Sequence, residues 1–299
     1  MTVKAAQARI NLANIIENQL GYPIHKTSSV KINQTNDEQY SPQGQQQLPY
    51  QVKAEATLLD RAHTRQEIQL IKRQENIETI MAMAMAFCPD VTGQQRPDFD
   101  WIERFISLCE DTANTAMQKL WAKILAGETV APGTFSIKSL QTLKFMTQRE
   151  ADALQRCTSL CGFNEKDHSH LILLGFYKKP SLFDLLRKGN KVSFNLGKTP
   201  VSFPDILTLM DINLLYRKEI ESAVLKAGQE LALSFMNQRL VLKAKSNDLV
   251  LSYYKFTQTG DELKKLISTP INKAYKNILS TSLEDEFDVS WHALKQPAS

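Results

Sequence analysis

The pattern of apolar and polar positions predicts helices over the first half of the chain and strands towards its end. From Lys53 to Phe87 there is no proline or glycine, and apolar residues recur at helical intervals, which predicts one long helix. The end of this helix is rich in methionine, a residue that usually fills core space and also suits partner-binding surfaces. Leu70, Ile77 and Ala84 are seven residues apart, a spacing that indicates pairing with another helix.

The segment from Leu120 to Leu154 contains the densest run of helix ends in the sequence. Gly127 is expected to end one helix, and Ser136 to cap the next. Thr147, with Glu150 three residues later, has the pattern of a capping box and predicts a further helix start. Two helices joined this closely must cross at a sharp angle, so we expect a fold-defining corner here.

Beyond this corner, short apolar runs predict β-strands. The run LILLGFY at 171–177 is expected to form a buried strand, and the runs between Leu231 and Phe256 to form antiparallel strands with tight turns. A helix that begins near Pro204, a hairpin and a helix capped by Thr257 follow one another in the order typical of winged-helix modules. The sequence departs from such modules because it has no plainly basic recognition helix.

These elements predict a mostly helical α+β protein with a long N-terminal helix, a helical middle and a C-terminal winged-helix-like module that carries a small antiparallel sheet. Residues 27–51 are rich in Ser, Asn, Gln and Pro and offer little apolar surface to offset the entropy of ordering. Four regions are expected: a flexible extension with a short helix at 1–52, a helical region at 53–163, the mixed module at 164–269, and a helix with an acidic tail at 270–299.

Composition and charge predict a cytoplasmic protein. Of the 299 residues, 42% are hydrophobic and 23% are charged, and the formal net charge is +4. No apolar run reaches the length of about 18 residues that a membrane span requires, and the N-terminus lacks a signal-peptide pattern. Four cysteines do not make a disulfide framework. The small net charge does not imply a nucleic-acid partner by itself, so the distribution of charge matters more.

Cationic residues cluster in the C-terminal half and form a candidate nucleic-acid-binding surface, because lysine and arginine neutralise backbone phosphates. Only one acidic residue, Asp184, interrupts the cluster between Lys178 and Lys198. The alternative is an ordinary charged surface whose sign varies by segment. The candidate residues are Lys178, Lys179, Arg187, Lys188, Lys191, Lys198, Lys243 and Lys245.

Two cysteines and two histidines form a candidate metal site. Cys157 and Cys161 are four residues apart on one face of a predicted helix, and His168 and His170 follow after a short loop. Two thiolates and two imidazoles complete a tetrahedral zinc set, and such a zinc would be structural because it leaves no open position. The alternative is that both cysteines pack in the core, and no cofactor is otherwise expected.

The sequence lacks the common motifs of nucleotide binding and catalysis. It contains no Gly-x-x-x-x-Gly-Lys-Ser/Thr, no Gly-x-Gly-x-x-Gly and no Gly-x-Ser-x-Gly. Residues 197–199 have the Gly-Lys-Thr ending of a phosphate-binding loop, but Val192 stands where its first glycine belongs. Pro200 would also obstruct the helix that should follow such a loop.

Four segments of the chain resemble an uncharacterised bacterial family that carries a domain of unknown function. The match covers approximately residues 70–268 and implies a shared fold, without assigning catalytic residues. The segments are KRQENIETI at 72–80, the run from Asp100-Trp101 through MQKLWAKILAGE at 117–128, PGTFSIKSLQTLKFMTQREA at 132–151, and FTQTGDEL at 256–263.

The leading hypothesis from the sequence is a non-enzymatic interaction or regulatory protein. It would bind a protein partner, or a second copy of itself, through the helix at 53–87. The alternatives are a nucleic-acid-binding regulator that uses the cationic residues and an enzyme without a recognisable motif. The first hypothesis requires an exposed apolar strip along residues 70–87, the second a convergence of cations on one face, and the third a deep pocket with convergent polar groups.

Overall fold

The structure, a computed structural model, describes three stretches of the chain: residues 57–88, 96–179 and 191–294. The flexible extension predicted at 1–52 lies outside these residues. The boundaries predicted between the helical region, the mixed module and the tail stay predictions.

The described residues divide into two compact units. The first unit contains 57–82 together with Glu110–Gln118. The second unit contains 83–88, 96–109, 119–179 and 191–294.

Eight α-helices lie within the described residues, and their ends follow from local capping. The predicted cap at Ser136 and the predicted capping box of Thr147 and Glu150 are confirmed. The helix end predicted at Gly127 is wrong, because that helix continues to Val130. The helices are α1 (Leu58–Phe87), α2 (Phe99–Cys109), α3 (Thr115–Val130), α4 (Ile137–Phe145), α5 (Gln148–Thr158), α6 (Phe203–Asp211), α7 (Gln258–Lys264) and α8 (Lys273–Leu283).

One antiparallel sheet in the second unit contains eight strands. Their order across the sheet is β4-β7-β2-β1-β5-β6-β8, and β3 pairs with β2 beside this path. The longest strand, β2, is almost wholly buried and pairs with β1, β3 and β7. The strands are β1 (Gly162–Asn164), β2 (Ser169–Lys178), β3 (Val192–Ser193), β4 (Ile220–Glu221), β5 (Glu230–Phe235), β6 (Gln238–Ala244), β7 (Leu249–Lys255) and β8 (Phe287–Ala293).

The mixed α+β class fits the structure, but the predicted winged-helix-like module with a small sheet is wrong. The run LILLGFY, which was expected to form a buried strand, lies in strand β2 of the eight-stranded sheet. The segment predicted as an acidic tail contains β8, which pairs with β6 over its whole length. Apolar runs identify strands, but they do not encode which distant strands pair, so the pattern underestimated the sheet.

The chain from Ile220 to Phe235 contributes to both halves of the strand order. Its first part, β4, pairs with β7, and a bridge between Leu225 and Leu249 extends that pairing. Its second part, β5, pairs with β1 and β6. One continuous segment therefore joins strands that are far apart in the order, and β8 is left at an edge of the sheet.

Helix α8 holds the sheet from one face and leads directly into β8. Tyr275 is buried and donates its hydroxyl group to the Leu173 carbonyl oxygen of β2 at 3.0 Å, and its burial raises the pKa of the phenol. The indole Nε1 of Trp291 in β8 donates to Ser280 of α8 at 2.9 Å. The Lys276 ammonium lies 4.8 Å from the centre of the same ring. These contacts fix the position of β8 beside β6.

Candidate interaction surface

Helix α1 begins at a reciprocal cap between Thr57 and Asp60. The Thr57 backbone N–H and hydroxyl donate to Asp60 Oδ2 at 2.9 and 2.7 Å, and the Asp60 N–H donates to the Thr57 hydroxyl at 3.2 Å. The side-chain hydrogen bond from Thr57 lowers the pKa of Asp60. With no glycine or proline after the cap, the helix continues for 30 residues.

Within the first unit, polar contacts attach the segment Glu110–Gln118 to one side of α1. Arg73 Nε donates to Asp111 Oδ1 at 2.8 Å, and this hydrogen bond raises the pKa of the guanidinium. Asn76 donates to the Glu110 carbonyl oxygen at 2.8 Å and accepts a hydrogen bond from Gln118 at 3.2 Å. These contacts occupy the face of α1 that carries Arg73 and Asn76.

Next to this face, α1 in this unit carries an apolar stripe, which we call the α1 stripe and define as Leu59, Leu70, Ile77 and Met81. Leu59, Leu70 and Met81 are eleven residues apart, and eleven residues correspond to about three turns, so the three side chains lie above one another. Leu59 is 65% exposed, Leu70 57% and Met81 38%. Ile77 lies on the same face and is half-buried. Of the strip predicted along residues 70–87, Leu70 and Met81 are exposed on this face, whereas Ile80 is buried. The strip stays a prediction for the rest of that range.

The predicted nucleic-acid residues do not form a continuous cationic row in the described structure. Lys178 ends β2 and Lys243 lies in β6, and β1 and β5 separate these strands in the sheet. Lys179 directly follows β2, Lys191 and Lys198 flank β3, and Lys245 directly follows β6. Arg187 and Lys188 lie outside the described residues.

Carboxylates accompany several of these cations. Lys191 Nζ lies 3.1 Å from Glu219 Oε1, and Lys245 Nζ lies 3.8 Å from Asp288 Oδ1. Lys243 stands between two acidic neighbours in register, Glu230 on β5 and Asp288 on β8. Such local compensation weakens the field that attracts a phosphate backbone. Nucleic-acid binding stays a prediction that this arrangement does not favour.

The predicted zinc residues are placed in surroundings that differ from one another. Cys157 and Cys161 are buried in the core, and burial raises the pKa of both thiols, that of Cys157 to about 12. His168 is in the turn between β1 and β2. His170 Nδ1 lies 2.7 Å from Asp261 Oδ1.

No group of three or more histidine, cysteine or acidic side chains suited to a metal occurs among the residues that the structure describes. The zinc set predicted from the sequence stays a prediction that this arrangement does not favour.

Sequence reasoning missed a junction in the second unit at which three of the family-like segments meet. The indole Nε1 of Trp101 donates to the Phe135 carbonyl oxygen at 2.7 Å. The buried Glu128 accepts hydrogen bonds from the backbone N–H groups of Gly133 at 2.5 Å and Phe135 at 2.9 Å. Gly127 permits this packing, because a Cβ atom there would lie 3.1 Å from the Phe135 ring.

The third segment reaches the junction through the buried Glu262 of α7. One of its oxygens, Oε2, accepts hydrogen bonds from the Ser136 N–H at 2.7 Å, the Ser136 hydroxyl at 2.8 Å and the Ser139 hydroxyl at 2.5 Å. The spacing of Gly, Glu, Pro and Ser in these motifs indicated a turn. It did not indicate that two buried carboxylates, those of Glu128 and Glu262, hold this turn in place.

A cleft of about 530 Å³ lies beside this junction. Asp100 and Arg104 of α2 line it and are exposed. The carboxylate of Glu128 also lines it, but both of its oxygens already accept backbone hydrogen bonds. The Glu128 carboxylate at this cleft therefore holds the fold together.

The fold defines an α+β protein whose described residues form one eight-stranded antiparallel sheet. The chain belongs to the family described as protein of unknown function (DUF2806), whose model matches residues 60–280. Comparisons with curated proteins and with solved structures gave no match. Within the described residues, no helix has the length and apolar character to cross a membrane. The family confirms the resemblance seen in the sequence and assigns no activity.

Proposed function

We propose that this protein is a non-enzymatic interaction protein and that the α1 stripe inserts into an apolar groove of a partner protein. The observation that carries this proposal is the exposure of three apolar side chains above one another on a 30-residue helix. Amphipathic helices bind grooves through such regularly spaced anchors. Exposed apolar residues that are aligned in this way are more informative than the scattered ones found on every protein surface.

The polar residues of the stripe face favour a groove over symmetric pairing of two α1 helices. Gln66 and Gln74 lie between the stripe positions, and Gln74 donates to Glu78 at 2.8 Å. In a symmetric coiled coil these amides would enter the seam, whose a and d positions are apolar. A groove that accepts separate apolar anchors leaves the amides at its rim.

The free energy available from this surface suits a reversible complex. Full burial of a leucine or methionine side chain contributes about 1.5–3 kcal/mol. The three side chains are already partly buried, so their remaining exposed area supplies roughly 2–5 kcal/mol before the cost of association and side-chain ordering is subtracted. The remaining affinity depends on polar contacts at the rim of the partner's groove.

The enzyme alternative has less support. The cleft beside Glu128 is open, and its buried carboxylate is committed to backbone hydrogen bonds. No other observation favours catalysis over binding.

The proposal is tested by tagging the full chain in its native host and quantifying the proteins that co-purify with it. The double variant Leu59→Glu and Leu70→Glu charges the stripe at two exposed positions. The matched control is Leu58→Glu with Ile71→Glu, which makes the same change at exposed leucine and isoleucine positions about 100° away around the helix.

We expect one protein to co-purify in near-stoichiometric amount with the wild type and the control, and at least tenfold less of it with the stripe variant. Circular dichroism of all three purified proteins checks that α1 is retained. Equal recovery from the stripe variant and the control would refute the proposal.

A further inference from the structure

Strand β8 presents a free backbone edge in the part of the chain that the structure describes. It pairs with β6 on one side and is the last strand of the sheet on the other. The strand is seven residues long, with the sequence FDVSWHA, and contains no proline or glycine that would interrupt further pairing. Its outer side therefore offers unpaired N–H and C=O groups.

Two hydrogen bonds at the ends of the β6–β8 ladder show which groups face outward. The Leu294 N–H donates to the Asn237 carbonyl oxygen, and the Lys245 N–H donates to the Glu286 carbonyl oxygen, each at 2.9 Å. In an antiparallel pair, residues that are hydrogen-bonded to the partner strand alternate with residues whose backbone groups face away from it. The even-numbered residues of β8 therefore bond to β6. The backbone groups that point to the open side belong to Phe287, Val289, Trp291 and Ala293.

We propose that this edge pairs antiparallel with β8 of a second copy of the chain, with Ser290 on the two-fold axis. An isologous pair must place odd-numbered residues opposite odd-numbered residues to use the outward groups. Among the registers that satisfy this condition, the one centred on Ser290 overlaps all seven residues. It places Phe287 opposite Ala293 and Val289 opposite Trp291.

Charge complementarity supports the same register. With Ser290 at the axis, Asp288 stands opposite His292 of the second copy, and this pair occurs twice. Both residues are exposed and lie on the face of β8 away from Trp291. Pairs that are not hydrogen-bonded bring side chains closest together, which suits a contact between imidazole and carboxylate.

The neighbouring strand β6 extends this charge pattern. Lys243 stands in register with Asp288, and Arg239 stands in register with His292. Arg239 Nη2 lies 2.8 Å from Glu165 Oε2, so its charge is compensated within its own chain. Across the proposed interface, Lys243 and Asp288 of one copy are followed by His292 and Arg239 of the second copy. The carboxylate therefore lies between cationic or neutral side chains. Neither copy brings two carboxylates together.

A disulfide trap tests the register. Ser290→Cys, made in a Cys88→Ser background because the three other cysteines are buried, places two thiols directly opposite each other. A directly opposed pair of this kind has a Cα separation of about 4.5 Å, which a disulfide accepts. We expect mild oxidation to convert most of the Ser290→Cys protein to a covalent dimer.

Two further cysteine variants serve as matched controls. In the proposed register, residue 288 of one copy lies about four residues, or roughly 13 Å, from residue 288 of the second copy. Asp288→Cys protein by itself should therefore not cross-link. A mixture of Asp288→Cys and His292→Cys should form the mixed dimer. Dimers of Asp288→Cys that form as readily as those of Ser290→Cys would overturn the proposed register.

A proline variant tests the pairing itself without removing a hydrogen bond from the fold. The Val289 N–H points outward, so Val289→Pro removes a donor to the second copy and none to β6. We expect wild-type protein to sediment as a concentration-dependent dimer, and the variant as a monomer with an unchanged circular dichroism spectrum. A wild-type protein that stays monomeric at all concentrations would overturn the proposal. This edge is separate from the α1 stripe, so either proposal can fail without the other.

Discussion

Asp205 shows at the residue scale how one carboxylate serves two helices. Arg156 of α5 donates to its two oxygens at 2.6 and 3.2 Å, which joins α5 to α6. The Ser202 N–H and hydroxyl donate to the same carboxylate at 2.9 and 2.8 Å, which completes the capping box of α6. The hydrogen bond from Arg156, together with those from Ser202, lowers the pKa of Asp205 to about 2.

This depressed pKa predicts a pH-dependent contribution to stability. A carboxyl group whose pKa is lower in the folded state stabilises the fold above its unfolded value of about 3.9, and the stabilisation is lost as the pH falls through the folded value. For Asp205 the contribution is on the order of 2 kcal/mol, because its side chain is mostly buried.

The variant Asp205→Asn provides the measurement. The difference in free energy of unfolding between the wild type and this variant should shrink by about 1–2 kcal/mol when urea titrations at about pH 5 are compared with titrations at about pH 2. Other carboxylates titrate in both proteins and cancel in the difference. A difference that stays constant with pH would contradict the assignment.

Residue-scale features were the most predictable part of the fold. The caps at Ser136 and Thr147 depend on neighbours three residues away, so the sequence alone contains the whole signal. Gly260 had a different role that no local pattern reveals. A Cβ atom there would collide with the carbonyl group of Leu214, which a tertiary contact brings against α7. Glu128 and Glu262 were likewise unpredictable, because their partners approach only after folding.

At the scale of elements, the start of α4 depends on a side chain from α7. The Glu262 carboxylate accepts three hydrogen bonds from Ser136 and Ser139 and a fourth from Gln258 at 2.9 Å. Ser136 is also the N-cap of α4. The position of α4 relative to α7 is therefore fixed by one buried carboxylate.

Removal of this carboxylate should destabilise the protein strongly. Glu262→Ala leaves buried donors without an acceptor, and we expect the free energy of unfolding to fall by about 3 kcal/mol. Glu262→Gln keeps one oxygen acceptor and should cost about half as much. Glu103→Ala, at an exposed position of α2, is the control and should change stability by less than about 0.5 kcal/mol. Equal effects of the alanine variants in chemical denaturation would contradict this role.

The strands show where prediction at the element scale ends. The runs that became β5, β6 and β7 were expected, because alternation and tight turns are local features. β8 was not expected, because acidic residues precede it and it contains few apolar residues, which is typical of a solvated tail. Only pairing with β6 and packing against α8 make this segment a strand, and neither contact has a local signature.

At the scale of the whole molecule, the parts that hold the fold are distinct from the surfaces left for binding. The junction around Glu128 and Glu262 uses its carboxylates internally. The long helix was predictable from its spacing and its lack of glycine and proline. The exposure of the α1 stripe was not predictable, because a leucine or methionine in a sequence does not show whether it lies in a core or on a surface.

Site-specific photo-crosslinking in the native host tests the central claim most directly. A photoreactive amino acid replaces Leu70 in the α1 stripe, or Glu75, an exposed position on another face of α1, as the control. The account predicts one adduct of discrete mass with a different protein from position 70 and at least tenfold less from position 75. Adducts of equal yield from both positions, or an adduct with the chain itself, would contradict it.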